Sequence, residues 1–409
     1  MEKRRVVITG LGAVTQLGLT MEDSWQAVRR GACGVGLITQ YDASAQKVKL
    51  AAEVRGFEPE AYMSRAEARH MGRFTQFAVA AAKQALESAR LTAYDPDRCG
   101  VIVSSGIGGQ IITESEHLRG MERGFDRVSP FYIPTAISNM AAGQVAIASG
   151  FRGMCTCPVT ACAGGRNAVG DAFHYIRDGY ADVMLCGGAE SVVTPLAVGG
   201  FTSMKALHTG DDPARASIPF DRERSGFVLG EGAGILLLEE YDRAKARGAR
   251  IHAEVVGYGA TCDAYHMTAP APDGSGGAKA MLMALRDGDT LPEAVDYINA
   301  HGTSTVLNDA GETAAVKTVF GDHAHRLMMS STKAMTGHML GAAGAVEAAI
   351  TALSLREGFV PATIHYRVPD ARCDLDVVPG EGRRAAIRHA MSNSLGFGGH
   401  NVSLLMKKW

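Results

Sequence analysis

Short runs rich in β-branched residues alternate with Ala-rich amphipathic stretches along this whole chain, and that alternation restricts the folds open to it. RRVVITG is followed by FTQFAVAAAKQALESA, then CGVIVSSG, and later ADVMLCGG and AGILLLEE. Strand-length apolar runs separated by helical periods belong to an α/β protein with a largely parallel sheet buried between helices. Those helices are rich in small residues and should pack closely. A second round of the same grammar begins near Arg250, with IHAEVVGYGA, GAKAMLMALRDG, VDYINAHGTS, LMMSSTKAM and AVEAAITALSLREG. Two segments also echo each other: Cys162 precedes AVGDAFHYIRDG and His338 precedes AVEAAITALSLREG, each a helix that ends in an acidic residue and Gly. The chain therefore reads as two similar halves, 1–250 and 251–409.

With 409 residues, 46% of them hydrophobic, the chain can bury one large core or two fused ones, which excludes a disordered or fibrous protein. A net charge of -2 gives no general attraction to nucleic acid or anionic lipid, so a charged partner has to be met by a local patch. The start MEKRRVVITGLG is basic, but its apolar run is short and interrupted by Gly, so it is expected to be a first strand and not a signal peptide. No apolar stretch approaches the roughly 18 residues of a membrane span. Eight cysteines without regular spacing imply reduced thiols and a cytoplasmic protein. Cys155 and Cys157 lack a second ligand pair at zinc-like spacing and are expected to be core or strand residues.

Four segments carry chemistry. In PVTACAGGRNAVGDAFHYIRDG a strand-like approach meets small residues and then an apolar-periodic helix, which places Cys162 at the turn where the helix begins. A thiol there feels the positive end of the helix dipole and unpaired N–H groups, an arrangement that favours the thiolate needed for thioester chemistry. Ala161, Ala163, Gly164 and Gly165 would let a substrate carbonyl approach the backbone. NAHGTST sets His301 just beyond the strand-like VDYINA, where open α/β sheets put ligand-contacting groups. STKAMTGHMLGAAG sets Lys333 five residues before His338, ahead of another Gly/Ala-rich helix. Most other histidines, such as His117, His252 and His389, have the ordinary structural meaning. In SNSLGFGGHNVSLL, glycines flank Phe397 ahead of the last strand, which makes either a tight turn or a hinge for a swinging side chain.

One Cys at a helix start, two His in separate loops, a Lys before the second His and a terminal GFGG together resemble the β-ketoacyl-acyl-carrier-protein synthases, specifically the elongating enzymes of type II fatty-acid synthesis. The resemblance runs the whole length, through SSGIGG, SPFYIPTAISNMAAG, GGAESVVTPLAVGGF, PFDRERSGFVLGEGAG and DAYHMTAPAPDG as well as the four segments above. It implies the thiolase-like fold, two βαβαβαββ halves stacked as a five-layered α-β-α-β-α sandwich, usually a homodimer that works with an acyl carrier protein. It further implies that Cys162 accepts the acyl chain, that His301 and His338 bind the malonyl thioester carbonyl, that Lys333 supports the second His, and that Glu347 is the acid behind the lysine. An oxyanion hole would form from the N–H groups of Cys162 and Phe397. Ile107, Phe201 and Phe397 match an acyl pocket and its gate, and Thr303 and Thr305 match residues facing the pantetheine arm. Arg65, Arg69 and Lys205 are candidates for the patch that meets an acidic carrier protein. No organic cofactor and no metal are required, although a monovalent cation near Asn299, Glu347 and Asn393 is compatible with the family.

The sequence departs from the family pattern at Met154, where Pro is more frequent, at Arg166, where smaller residues are common, and at His400, where Thr is usual. None removes a reacting group. A chain-length factor would lack the nucleophile, and a thiolase would carry a second Cys in the terminal Gly-rich loop, whereas the late Cys373 lies in ARCDLDVVP. A ketosynthase of a specialised polyketide-type pathway would keep the same reacting residues and is the alternative to a fatty-acid enzyme.

Overall fold

The computed structural model describes residues 3–409. Ten strands make one hydrogen-bonded sheet: β1 (Val6–Val14), β2 (Cys99–Ser104), β3 (Cys155–Thr156), β4 (Val183–Glu190), β5 (Gly232–Glu240), β6 (Ala253–Cys262), β7 (Tyr297–Asn299), β8 (Met328–Ser330), β9 (His389–Gly396) and β10 (His400–Lys407). Their spatial order is β8-β7-β9-β10-β6-β1-β5-β4-β2-β3. Counted within each group of five, both groups run third, second, fourth, fifth, first from the outer edge to the middle. The two groups meet where β1 pairs with β6 through Val6, Val7 and Ile8.

The helices that matter for the site are α1 (Arg73–Ala89), α2 (Met140–Ser149), α3 (Gly164–Arg177), α4 (Ser275–Asp287), α5 (Val306–Phe320) and α6 (Ala343–Glu357). Side chains alternate along the strands, and the cores follow that alternation. On β5, Ile235 and Leu237 join an outer core with α1 and α2, whereas Leu236 and Leu238 face a central core built on α3 and α6. On β10, Leu404 and Met406 face the same central core, and Leu405 turns outward to α4 and α5. Three cores separated by two sheet regions give the five layers α-β-α-β-α.

The sheet is mixed, which corrects the expectation of a largely parallel one. β3, β2 and β4 run parallel, as do β8, β7 and β9. The joins β4 to β5, β5 to β1, β1 to β6, β6 to β10 and β10 to β9 are antiparallel. Hydrophobic periodicity registers burial, not strand direction, so the hairpin that joins β9 to β10 through Phe397–Gly399 is invisible to it.

Small residues set the layer spacing. A Cβ on Gly12 of β1 would lie 1.9 Å from the Ala81 carbonyl of α1, and one on Gly165 of α3 would lie 2.5 Å from the Gly341 carbonyl just ahead of α6. Close approach of these backbones is therefore written into the glycines. Cys155 lies on the edge strand β3 and is exposed, and Cys157 just beyond it is partly buried, so neither belongs to the core.

Candidate active site

Cys162 sits on the 3-10 turn Ala161–Ala163, immediately ahead of α3. Ala161 holds a left-handed φ of 49° to make that turn, a conformation that costs a residue with a Cβ about 1–2 kcal/mol. Gly164 allows the helix start to settle on the end of β2, since a Cβ there would be 2.0 Å from the Ser104 hydroxyl. The Cys162 side chain is 7% exposed, and the neighbouring Phe397 N–H favours its charged form. The helix start does not by itself yield a thiolate. Burial pushes the Cys162 thiol up to about 11, and the Lys333 charge and the Phe397 N–H offset this only in part.

The loop after β7 delivers His301. Its shape is fixed by Glu312 of α5, whose carboxylate accepts the His301 N–H at 2.8 Å and the Gly302 N–H at 2.9 Å. His338 is held by its backbone, with its N–H donating to Val228 at 2.7 Å and its carbonyl accepting from Gly230 at 2.9 Å. The two imidazoles stand 5.3 Å apart between centroids at 83°. The Cys162 sulfur and a ring nitrogen of each histidine all lie within 4.8 Å of one another. Both rings are buried and pushed well below the usual imidazole range, first by desolvation and then by Lys333. For His301, the charges of His338 and Arg166 add to the effect. Neutral imidazoles result, each with one N–H to donate.

Three such ligand atoms would suffice in number for an open metal site. A metal-binding histidine, however, almost always donates its second ring nitrogen to a carboxylate or carbonyl. Here His301 Nδ1 and both ring nitrogens of His338 have no protein partner.

Behind the histidines lies a buried charge relay. Lys333, 1% exposed, donates to Glu347 Oε1 of α6. Arg166 of α3 donates to the other oxygen, Oε2, at 2.9 Å. Of the other residues proposed near a cation, Asn299 donates to the Tyr297 hydroxyl at 3.2 Å, and Asn393 lies against Glu312 and Ser403.

Cys162, His301 and His338 open into a cavity of about 490 Å³. Ile107, 39% exposed, lines it on the side of the Ser105–Gly108 turn. Phe201 and Phe397 face each other across it with centroids 6.5 Å apart. Thr303 and Thr305, joined by a 3.0 Å hydrogen bond, line it, and so does Lys205. Arg65 and Arg69 are exposed but stand off its wall. His400 packs against the hinge glycines: a Cβ on Gly398 would be 3.0 Å from its ring, and Gly398 and Gly399 take φ of 82° and 74°. Met154 is 38% exposed at the sheet edge, away from the cavity.

Three residues that shape the site escaped the sequence reading. Glu312 holds the His301 loop. Phe227 stacks edge-on against His338 with centroids 5.3 Å apart. Glu190, at the end of β4, is fully buried and accepts from Ser105 Oγ and from the N–H groups of Gly106, Ile107 and Gly341. An acid in an otherwise apolar strand run is the one signal that could have marked Glu190.

A family description, the N-terminal domain of β-ketoacyl synthases, matches residues 3–244, and the matching C-terminal domain covers residues 252–367. The chain is 50% identical to 3-oxoacyl-[acyl-carrier-protein] synthase 2 of Synechocystis sp., with 100% of this chain and 99% of that protein aligned. Among solved structures, the ishigamide ketosynthase/chain length factor superposes with a TM-score of 0.93 at 36% identity, covering 100% of both chains. A type II polyketide synthase acyl-carrier protein in complex with its ketosynthase bound to the hexaketide gives a TM-score of 0.92 at 35% identity, again covering 100% of both chains. The thiolase-like architecture, the full-length matches and the domain matches agree: the chain belongs to the β-ketoacyl synthase family.

Proposed function

We propose that this chain is a 3-oxoacyl-[acyl-carrier-protein] synthase of the elongating type. It joins a Cys162-bound acyl chain to the two-carbon unit left when a malonyl thioester loses CO2. The observation that carries this reading is the convergence of one thiol and two neutral, unpartnered imidazoles within 4.8 Å at the floor of an apolar cavity.

The first half-reaction transfers an acyl group. Cys162 attacks the thioester carbonyl, the C–S bond to the carrier breaks, and the proton of the thiol ends on the departing carrier thiol. The thiol is protonated at neutral pH, and its proton passes to the carrier sulfur as the C–S bond breaks. The oxyanion is received by the N–H groups of Phe397 and Cys162, which favour negative charge beside the sulfur. In the second half-reaction the malonyl thioester releases CO2, and its C–C electron pair becomes an enolate. The enolate oxygen accepts from N–H groups of His301 and His338, donors that cost little to aim because they are fixed in place and dry. The carbanion carbon then attacks the acyl carbonyl on Cys162, the thiolate leaves, and a proton from solvent restores the thiol. Burial keeps both imidazoles neutral, and Lys333 is a positioning residue, held by Glu347, whose charge adds to that effect. Apart from the solvent proton, every step uses side chains and backbone of the chain itself.

Ile107, Phe201 and Phe397 would border the acyl chain, and Thr303 and Thr305 the pantetheine arm. The acyl donor and the malonyl group arrive on an acyl carrier protein, which Lys205 would meet at the cavity mouth and Arg65 and Arg69 on the adjoining surface. The 1–250 and 251–409 halves would supply Cys162 and the histidines respectively. A homodimer is supported by the exposed edge strand β3, which packs beside α2 with its exposed Ile147. No helix among the described residues is long and apolar enough to cross a membrane. The eight free cysteines support a reducing, cytoplasmic location. Nucleic acid is not among the partners proposed. A role in primary fatty-acid elongation is favoured over a polyketide pathway by the 50% identity to the fatty-acid-type enzyme against 36% and 35% to the polyketide ketosynthases.

The reading is tested by loading the protein with acyl-carrier thioesters and weighing it intact. One acyl group per chain is expected, and none on Cys162→Ala. Acylation that persists in that variant would overturn the assignment.

A further inference from the structure

Arg166 is one of the largest fully buried side chains of the protein, with an exposure of 0%. Placing a guanidinium in a dry interior is costly unless nearly all of its charge is answered. Its partners are all polar and all from the other half of the chain. Nη2 donates to Glu347 Oε2 at 2.9 Å and to Ser392 Oγ at 2.6 Å, and Nη1 donates to Ser394 Oγ. Ser392 and Ser394 alternate on β9, which leads directly to the Phe397 loop, while Arg166 lies on the first turn of the helix that Cys162 precedes. Gly344 leaves the necessary room, because a Cβ there would stand 2.8 Å from the Arg166 backbone nitrogen.

The guanidinium bears on the expectation of a monovalent cation near Asn299, Glu347 and Asn393, and the residues do not fit one. Hard cations collect about six oxygens. Both Glu347 oxygens are already engaged, one by Lys333 and one by Arg166. The Asn393 Oδ1 accepts from Ser403 at 2.8 Å, and its Nδ2 faces Glu312. Only the Asn299 Oδ1 lacks a partner. An added ion would also bring a third positive charge to a single carboxylate.

We propose that Arg166 is a built-in cation of this catalytic centre: by fixing Glu347 it positions Lys333 behind the two histidines, and condensation by this chain needs no monovalent metal ion. The proposal rests on the condensing reading above. Arg166 touches no reacting atom and is a positioning residue, so its effect falls on the step that depends on the histidines and Lys333. Acyl transfer to Cys162 is spared.

The protein, freed of alkali cations, is assayed for Cys162 acylation and for condensation in K⁺, Na⁺ and tetramethylammonium chlorides at one ionic strength, so that screening stays constant. The wild type should condense at rates within about twofold in all three salts. Arg166→Met should acylate normally but lose about tenfold or more in condensation, with partial recovery on adding guanidinium or K⁺, and Arg166→Lys should retain more activity than Arg166→Met. A purely structural staple would lower both half-reactions together and show no response to guanidinium or K⁺, which would overturn the proposal. So would a wild type that stops condensing without K⁺, a measurement that needs no variant to fold. Condensation absent in every salt would instead overturn the parent reading, and this proposal with it.

Discussion

The imidazoles of His301 and His338 stand nearly perpendicular, 83° between ring planes and 5.3 Å between centroids, and their free nitrogens converge with the Cys162 sulfur. A perpendicular pair can direct two N–H donors at one oxygen without the rings colliding. In the proposed mechanism the pair serves the enolate and Cys162 the acyl group, which separates the two half-reactions by residue.

Replacing either histidine with alanine should therefore lower malonyl-carrier decarboxylation by about 10²–10³, the usual cost of one oxyanion donor. Cys162 acylation should survive in both variants, because the first half-reaction draws on the sulfur and backbone N–H groups and not on the imidazoles. Released CO2 and intact mass read the two quantities separately. Decarboxylation at the wild-type rate in both variants would contradict the two-donor role.

The Cys162 thiol, pushed up to about 11 by burial, makes a prediction about pH. Below that value the sulfur is mainly S–H, and each pH unit gained raises the thiolate fraction about tenfold. Alkylation by iodoacetamide should accordingly climb throughout pH 7–9.5. A plateau beginning near pH 7 would mean that the helix start and Lys333 outweigh burial after all.

α3 and α6 touch through glycine, and both active-site segments hang from them. Gly165→Ala would drive a Cβ to 2.5 Å from the Gly341 carbonyl and 3.1 Å from the Ala345 nitrogen, both rigid backbone. Overpacking of this kind costs about 1–3 kcal/mol, so the thermal midpoint should drop by several degrees and condensing activity should fall with it. An unchanged midpoint would show that the helices can part at no cost.

Ile107 borders the cavity beside Cys162, and a larger residue there should shorten it. Ile107→Trp should load short acyl groups as the wild type does and discriminate against long ones by tenfold or more, since each methylene denied burial is worth about 1 kcal/mol. An unchanged acyl-length profile would remove Ile107 from the acyl pocket.

How much of this was legible in the sequence differs by residue. Cys162, His301 and His338 stood out because each occupies a small-residue or polar loop between elements whose periodicity was plain, and family resemblance supplied the link between them. Strand direction was not legible, since burial leaves the same apolar run in a parallel and an antiparallel strand. Nor was the state of the thiol: a helix start is a local feature, whereas the desolvation that outweighs it comes from elements scattered through both halves. Arg166 was visible only as an oddity beside the nucleophile. Its partners lie 181, 226 and 228 residues away, and nothing in the local sequence announces that a guanidinium there meets Glu347, Ser392 and Ser394. Glu312 is hidden for a related reason, because a buried acid on a helix that organises backbone N–H groups leaves no pattern of its own, whereas Glu190 is marked only by being an acid in an apolar strand run.

The central claim is that one sulfur carries the acyl chain and one enolate takes it. A single-turnover chase tests it most directly: protein acylated on Cys162 is mixed with malonyl carrier, and the protein mass, CO2 and carrier product are followed together. The account predicts that the protein returns to its unmodified mass as CO2 and a 3-oxoacyl carrier appear in equal amounts. Release of CO2 with the acyl group still on the protein, or loss of that group as free acid, would contradict it.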